Sequence, residues 1–235
     1  MRSESAAVRR DRFWLWRHLG VGAAALAVMY LFRESRAEWS PMHAWNRALG
    51  DASLVLLAGA MSIGPLARIW PAAARLLPWR REIGIWAVVY GVAHTLVILD
   101  GWVEWDLPRL FGFLRHPLTG GYVMVQHGFG LGNALGVLAL VYGAVLALTS
   151  NNLSQRLLGG STWKFLQLST YTLWMLSVTH TAFFLFMNFL DFHRPIPAPN
   201  WLQAPFAVLV LAVLALQTWA FWVTWRRRTK RGLAA

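Results

Sequence analysis

Six mainly apolar runs recur along the chain, near residues 14–32, 51–70, 83–103, 122–149, 163–190 and 203–225. About 20 apolar residues at a helical rise of 1.5 Å cross roughly 30 Å of hydrocarbon, so each run is long enough for a membrane span. The pattern predicts an all-α integral membrane protein, a six-helix bundle occupying 14–225 between a basic N-terminus (1–13) and a basic tail (226–235). No segment reads as a separate soluble domain. The longest connection runs from about Asp100 to Gly121 through GWVEWDLPRLFGFLRHP and is expected to lie on the membrane as a partial cap. The last, DFHRPIPAPNW, is proline-rich and must be extended. No small-residue cleavage site follows the first apolar run, which is therefore expected to be a retained helix.

Charge placement orients the bundle. With the N-terminus inside, the inner segments hold 16 of the 22 cations against three acids, net +13, whereas the outer segments hold six cations against seven acids, net −1. Cytoplasmic loops are enriched in Lys and Arg, so the expected topology is N-in/C-in in a bacterial inner membrane. Tryptophans near span ends, among them Trp14, Trp16, Trp70, Trp102, Trp201 and Trp225, suit anchors at the headgroup level. A formal charge of +12 would also suit a nucleic-acid partner, but the cations flank apolar runs and form no separate patch, so none is expected. The partners expected are membrane lipids and another protein.

The chain has no cysteine, which excludes disulfides, thiolate metal sites, iron–sulfur clusters and covalently attached haem. His18, His43, His116 and His193 sit in basic, turn-like or proline-adjacent segments and read as solvated loop residues. His94 and His180 differ, because each lies inside an apolar run with no carboxylate nearby in sequence. An ionisable residue inside a membrane points to function by default. His94 stands about 8 to 11 residues, roughly 12–16 Å, before the outer end of its span, and His180 about 11 residues, roughly 16 Å, before its own. Both imidazoles are thus expected at one depth in the outer half of the membrane, as axial ligation of a single haem iron between parallel helices requires. The plainer alternative has each imidazole donating to a backbone carbonyl or a Ser/Thr hydroxyl of a neighbouring helix. His127, near the outer start of the fourth span, is an alternative ligand or an interfacial histidine. No Asp, Glu or Lys is expected at mid-membrane, which argues against an ion-relay transporter.

The stretch from about Arg47 to Leu190 resembles the ferric-reductase-like transmembrane domain family, most of all its MsrQ (YedZ) branch of haem-binding membrane subunits. RREIGIWAVVYGVAHTL looks like that family's Arg-rich entry to the third helix, followed by Gly84, Tyr90 and the ligand His94. LALTSNNLSQRLLGGSTWKFLQLSTYTLWMLSVTH is similar to its run into helix five, ending on the ligand His180, and Pro65-Leu66 resembles the Pro-Leu that closes helix two. The resemblance implies b-type haem held by His94 and His180, and a periplasmic reductase partner. The family's second histidine, 13 residues before the position of His180, is Gln167 here, so an inner-leaflet haem is not expected. Arg80, Arg81 and Gln167 remain candidates for a polar inner site for a propionate or a quinone, with snorkelling and loop solvation as the alternative.

Two functions follow. In the first, the chain relays electrons through one bis-histidine haem to an outer acceptor; having no dinucleotide fingerprint, it needs a redox partner protein, and any enzyme activity is that of an oxidoreductase subunit. In the second, it is a structural or assembly subunit of a larger respiratory or photosynthetic membrane complex that has lost part or all of the relay.

Overall fold

In lipid every backbone polar group must be satisfied internally, and the apolar runs accordingly form long helices. The computed structural model describes residues 2–187 and 200–232, with side chains described over 13–187 and 200–229. The elements in chain order are α1 (Arg2–Glu34), α2 (Pro41–Ile69), a 3-10 segment (Pro71–Trp79), α3 (Arg80–Ile98), a π turn (Leu99–Val103) and α4 (Leu107–Leu110). There follow the strands β1 (Phe113–Arg115) and β2 (Tyr122–Met124), then α5 (His127–Thr149), α6 (Asn152–Leu158), α7 (Gly160–Leu168), α8 (Thr170–Ala182), a second π turn (Phe183–Met187) and α9 (Gln203–Gly232). Among the described residues, five stretches are long and apolar enough to cross a membrane: Phe13–Glu34, Pro41–Ile69, Pro71–Val103, His127–Thr149 and Gln203–Thr229. Leu19, Leu31, Leu138, Leu148, Leu211 and Trp219 on these helices are more than half exposed, or half exposed at Leu138, as lipid-facing side chains should be.

The sequence expectations need four corrections. The expected span at 163–190 is divided by Ser169 into α7 and α8 and then widens into a π turn, and its residues 188–190 lie outside the described set. The second helix starts ten residues earlier than expected, with Pro41 at its first turn. The fourth span starts at His127, because Tyr122–Met124 pairs antiparallel with Phe113–Arg115, so the described residues are nearly all-α with one small ribbon. Finally, charges expected in loops are buried: the Arg36 guanidinium lies 2.5 Å from the Asp51 carboxylate, and Glu82 lies 3.0 Å from Arg17. Residues 191–199 of the expected extended loop, with His193, lie outside the described residues.

The chain divides into two compact units, one of residues 1–90 and 216–235, the other of 91–215. In the first, Ala25 and Met29 of α1 pack with Ala48 and Ala52 of α2 and Tyr90 of α3. The small alanines let the helices approach closely, which is how membrane helices gain packing energy when lipid is as apolar as they are. Ser53 Oγ donates to the Ala87 carbonyl (2.7 Å) and Arg80 Nε to the Ala60 carbonyl (3.1 Å), an antiparallel α2–α3 register. Gln217 Nε2 on α9 donates to the Met61 carbonyl (2.9 Å) and Arg227 Nη1 to the Arg68 carbonyl (2.8 Å), so α9 runs parallel to α2.

In the second unit α5 packs antiparallel on α7 and α8. Trp163 Nε1 donates to the Thr149 carbonyl at one end (2.9 Å), and Gly128 faces Phe183 at the other. The connection before α5 is fixed to it. Asn133 Nδ2, buried, donates to the Leu110 carbonyl at 2.8 Å, and a Cβ on Gly130 would collide with the Phe111 carbonyl oxygen. Tyr122 OH donates to Asp106 (2.8 Å), tying the ribbon to α4.

Candidate functional site

His94 lies fifteen residues into α3 and His180 near the end of α8, both in the second unit and both half-buried. The structure brings them together: the ring centroids are 6.3 Å apart with the planes at 84°. A metal–imidazole bond is about 2 Å long and the ring nitrogen lies about 1.1 Å from the centroid, so imidazoles on opposite sides of one metal have centroids about 6 Å apart. The observed spacing fits that geometry.

His180 is anchored from α5. Its Nδ1 lies 2.8 Å from the Gly132 carbonyl. A carbonyl only accepts, so Nδ1 carries the proton, and in the neutral ring Nε2 is the acceptor nitrogen. Metal-bound histidines commonly have their second nitrogen committed in this way. The contact depends on glycine. A Cβ on Gly136 would stand 2.7 Å from His180 Cε1, and one on Gly132 would stand 2.5 Å from Phe183 Cδ1. Gly132 and Gly136 are one turn apart, so they present one bare backbone face to α8. On α3, Thr95 Oγ1 returns to its own helix at the Gly91 carbonyl (2.9 Å).

Aromatic rings continue from the pair. Phe184 lies 5.0 Å from His180, Phe129 5.8 Å from Phe184, and Trp102 6.0 Å from Phe129, centroid to centroid. Both histidine helices widen into π turns within a few residues of the histidine, a feature often found at functional sites. Nothing in the local composition announces those turns. Among the described residues no group of three or more His, Cys, Asp or Glu could hold a bare metal ion.

The other described sequence candidates have surroundings of their own. His127 is the exposed first residue of α5, nine residues or about 13 Å along the helix from Gly136. His43 Nδ1 lies 2.7 Å from Ser40 Oγ, and His116 Nδ1 accepts from the Leu118 and Thr119 amides (3.3 Å each). His18, expected in a solvated loop, lies inside α1 with Nε2 buried. Arg80 is engaged on the Ala60 carbonyl in the first unit, while Gln167 Nε2 contacts Thr149 Oγ1 (3.5 Å) in the second.

No family model matches the chain. It is 28% identical over 174 residues to the magnetosome protein MamZ of Magnetospirillum gryphiswaldense, covering 70% of this chain and 25% of that one. The match to the MamZ of Paramagnetospirillum magneticum has the same identity and coverage. It is 29% identical over 146 residues to the haem-binding subunit MsrQ of a protein-methionine-sulfoxide reductase from Azospira oryzae, covering 60% of this chain and 54% of that one. The chain thus spans about a quarter of the first relatives and about half of the last.

Proposed function

We propose that this protein is a haem-binding membrane electron-transfer subunit in which His94 and His180 are the axial ligands of one b-type haem. The observation that carries the reading is the apposition of the two imidazoles at 6.3 Å, with His180 Nδ1 already committed to the Gly132 carbonyl. That hydrogen bond alone would equally suit a structural histidine; the facing His94 is what favours ligation. Bound there, the haem would supply one-electron chemistry, its potential set by axial ligands and burial. The chain's own residues do the rest: Gly132 fixes the His180 tautomer, Gly136 leaves room for the ring, and Phe184 and Phe129 exclude water from one flank. The similarity to a subunit named as haem-binding supports the same reading.

In this reading residues 160–187 supply a sixth crossing, and both termini are cytoplasmic in a bacterial inner membrane. Parallel packing of α9 on α2, antiparallel packing of α2 on α3 and the +13 against −1 charge split support that topology. Electrons arrive from a partner protein or a quinol and leave to a partner on the periplasmic side. A second haem is not part of the proposal, because position 167 is a glutamine facing Thr149. That same contact favours the second reading, an assembly subunit of a larger membrane complex that keeps the scaffold without the relay.

Electron paramagnetic resonance of the oxidised full-length protein tests the ligation. Two nitrogen ligands with nearly perpendicular rings predict a highly anisotropic low-spin ferric signal. A high-spin signal in haem-loaded protein would rule out the bis-histidine site.

A further inference from the structure

In the first unit the face of α9 that meets α2 runs through Gln217, Ala220 and Arg227, spaced three and seven residues apart as one helix face requires. Gln217 donates to the Met61 carbonyl, Ala220 has no exposed surface, and Arg227 Nη1 donates to the Arg68 carbonyl (2.8 Å) in the last turn of α2. The last contact joins the ends of two parallel helices through two arginines. Neither Arg68 nor Arg227 has a carboxylate partner among the described residues. Arg226 and Arg228 flank Arg227 on α9, Arg75 lies in the 3-10 segment that follows α2, and all of these arginines are exposed. Glu82, the described carboxylate at this end of the unit, is buried beside Arg17. Helix packing thus gathers like charges at one place with no described acid among them, and such a place favours an anion. Capping of α2 by Arg227 uses a single guanidinium donor and accounts for none of the other arginines. A topological signal needs cations on one side of the membrane, but not two of them joined across 159 positions of chain.

We propose that the joined ends of α2 and α9 bind the phosphate of an anionic phospholipid, with Arg68, Arg226 and Arg227 as its cationic contacts. The indoles beside the arginines favour a lipid over a dissolved phosphate. The Arg226 guanidinium carbon lies 3.8 Å from the centroid of the Trp222 ring, and Trp70, at the end of α2, and Trp225 are more than half exposed. A dissolved phosphate makes no use of these rings. A phospholipid sets its phosphate at the depth of the guanidinium groups and its glycerol and first acyl carbons against the indoles, the arrangement that tryptophan prefers at a membrane interface. Cations beside a membrane surface attract anionic headgroups, each contributing about fivefold in affinity. The attraction is ionic, so binding weakens as salt rises.

The test is native mass spectrometry of the full chain in detergent, titrated with phosphatidylglycerol or phosphatidylcholine, and with inorganic phosphate as competitor. The expected result is tighter binding of phosphatidylglycerol than of phosphatidylcholine, weakened about fivefold in Arg68→Gln and in Arg227→Gln. Arg156→Gln removes the same charge from α6 in the other unit and is expected to leave binding unchanged. Should Arg227→Gln fail to fold, Arg226→Gln, whose guanidinium lies over Trp222, is expected to weaken binding likewise, and Arg227→Lys to keep most of it. Equal binding of the two lipids, equal weakening in Arg156→Gln, or unchanged binding in both Arg68→Gln and Arg226→Gln would overturn the proposal. So would displacement of the lipid by inorganic phosphate, which would assign the site to a free anion. None of these readouts involves haem, so the site stands or falls separately from the histidine pair.

Discussion

Replacing Gly136 with alanine puts a methyl carbon 2.7 Å from Cε1 and 2.8 Å from Nδ1 of His180. Carbon atoms pack best about 3.5–4.0 Å apart, so ring or helix must give by about 1 Å. The ring cannot retreat without lengthening its 2.8 Å hydrogen bond to the Gly132 carbonyl. Overpacking of this kind costs about 1–3 kcal/mol, which corresponds to about 5- to 150-fold in the haem dissociation constant if it falls on the ligated state. Alanine also gains up to about 1 kcal/mol of helix propensity. Gly84→Ala reports that gain by itself, since a Cβ there meets nothing within 4 Å. The assay is haem titration of apo-protein in detergent, read at the Soret band, for wild type and both variants. Wild-type affinity and spectrum in Gly136→Ala would refute the claim that the glycine face positions His180.

Other consequences can be measured directly. Arg36→Ala leaves the partly buried Asp51 without its ion-pair partner and is expected to cost about 3 kcal/mol in reversible unfolding, whereas Arg36→Met with Asp51→Leu should cost much less. Asn133→Ala removes the buried bond to the Leu110 carbonyl; a loss of about 1–2 kcal/mol and faster amide exchange around Leu110–Gly112 are expected by mass spectrometry. Gln167→His should leave the haem-to-chain ratio unchanged by pyridine haemochrome assay, because the group facing that position is the Thr149 hydroxyl. His127→Ala should likewise leave the ratio and the spectrum unchanged.

The long helices were legible because an apolar run of about twenty residues has few other structures open to it in lipid. The start of α2 was not, since Arg47 and Asp51 read as loop charges; the partner that makes Asp51 tolerable, Arg36, lies fifteen residues away. The ribbon of Phe113–Arg115 with Tyr122–Met124 is too short to show a two-residue period and is defined by its pairing. Of the candidate site, His94 and His180 were singled out because each lies inside an apolar run, and their rings lie 6.3 Å apart. The Gly132 carbonyl and the Gly136 face were invisible, because a glycine in an apolar helix gives no sign of what it packs against. His18, read as a solvated loop residue, and Glu82, counted among the inner loop charges, were missed for a related reason: their burial depends on the neighbouring helix, here α1 against α3.

The most direct measurement is haem per chain, with dithionite-reduced minus oxidised spectra, for wild type, His94→Ala and His180→Ala purified in detergent. The account predicts about one b-type haem in wild type and its loss in either variant. A folded wild-type protein without haem, or full haem retained in both variants, would contradict it.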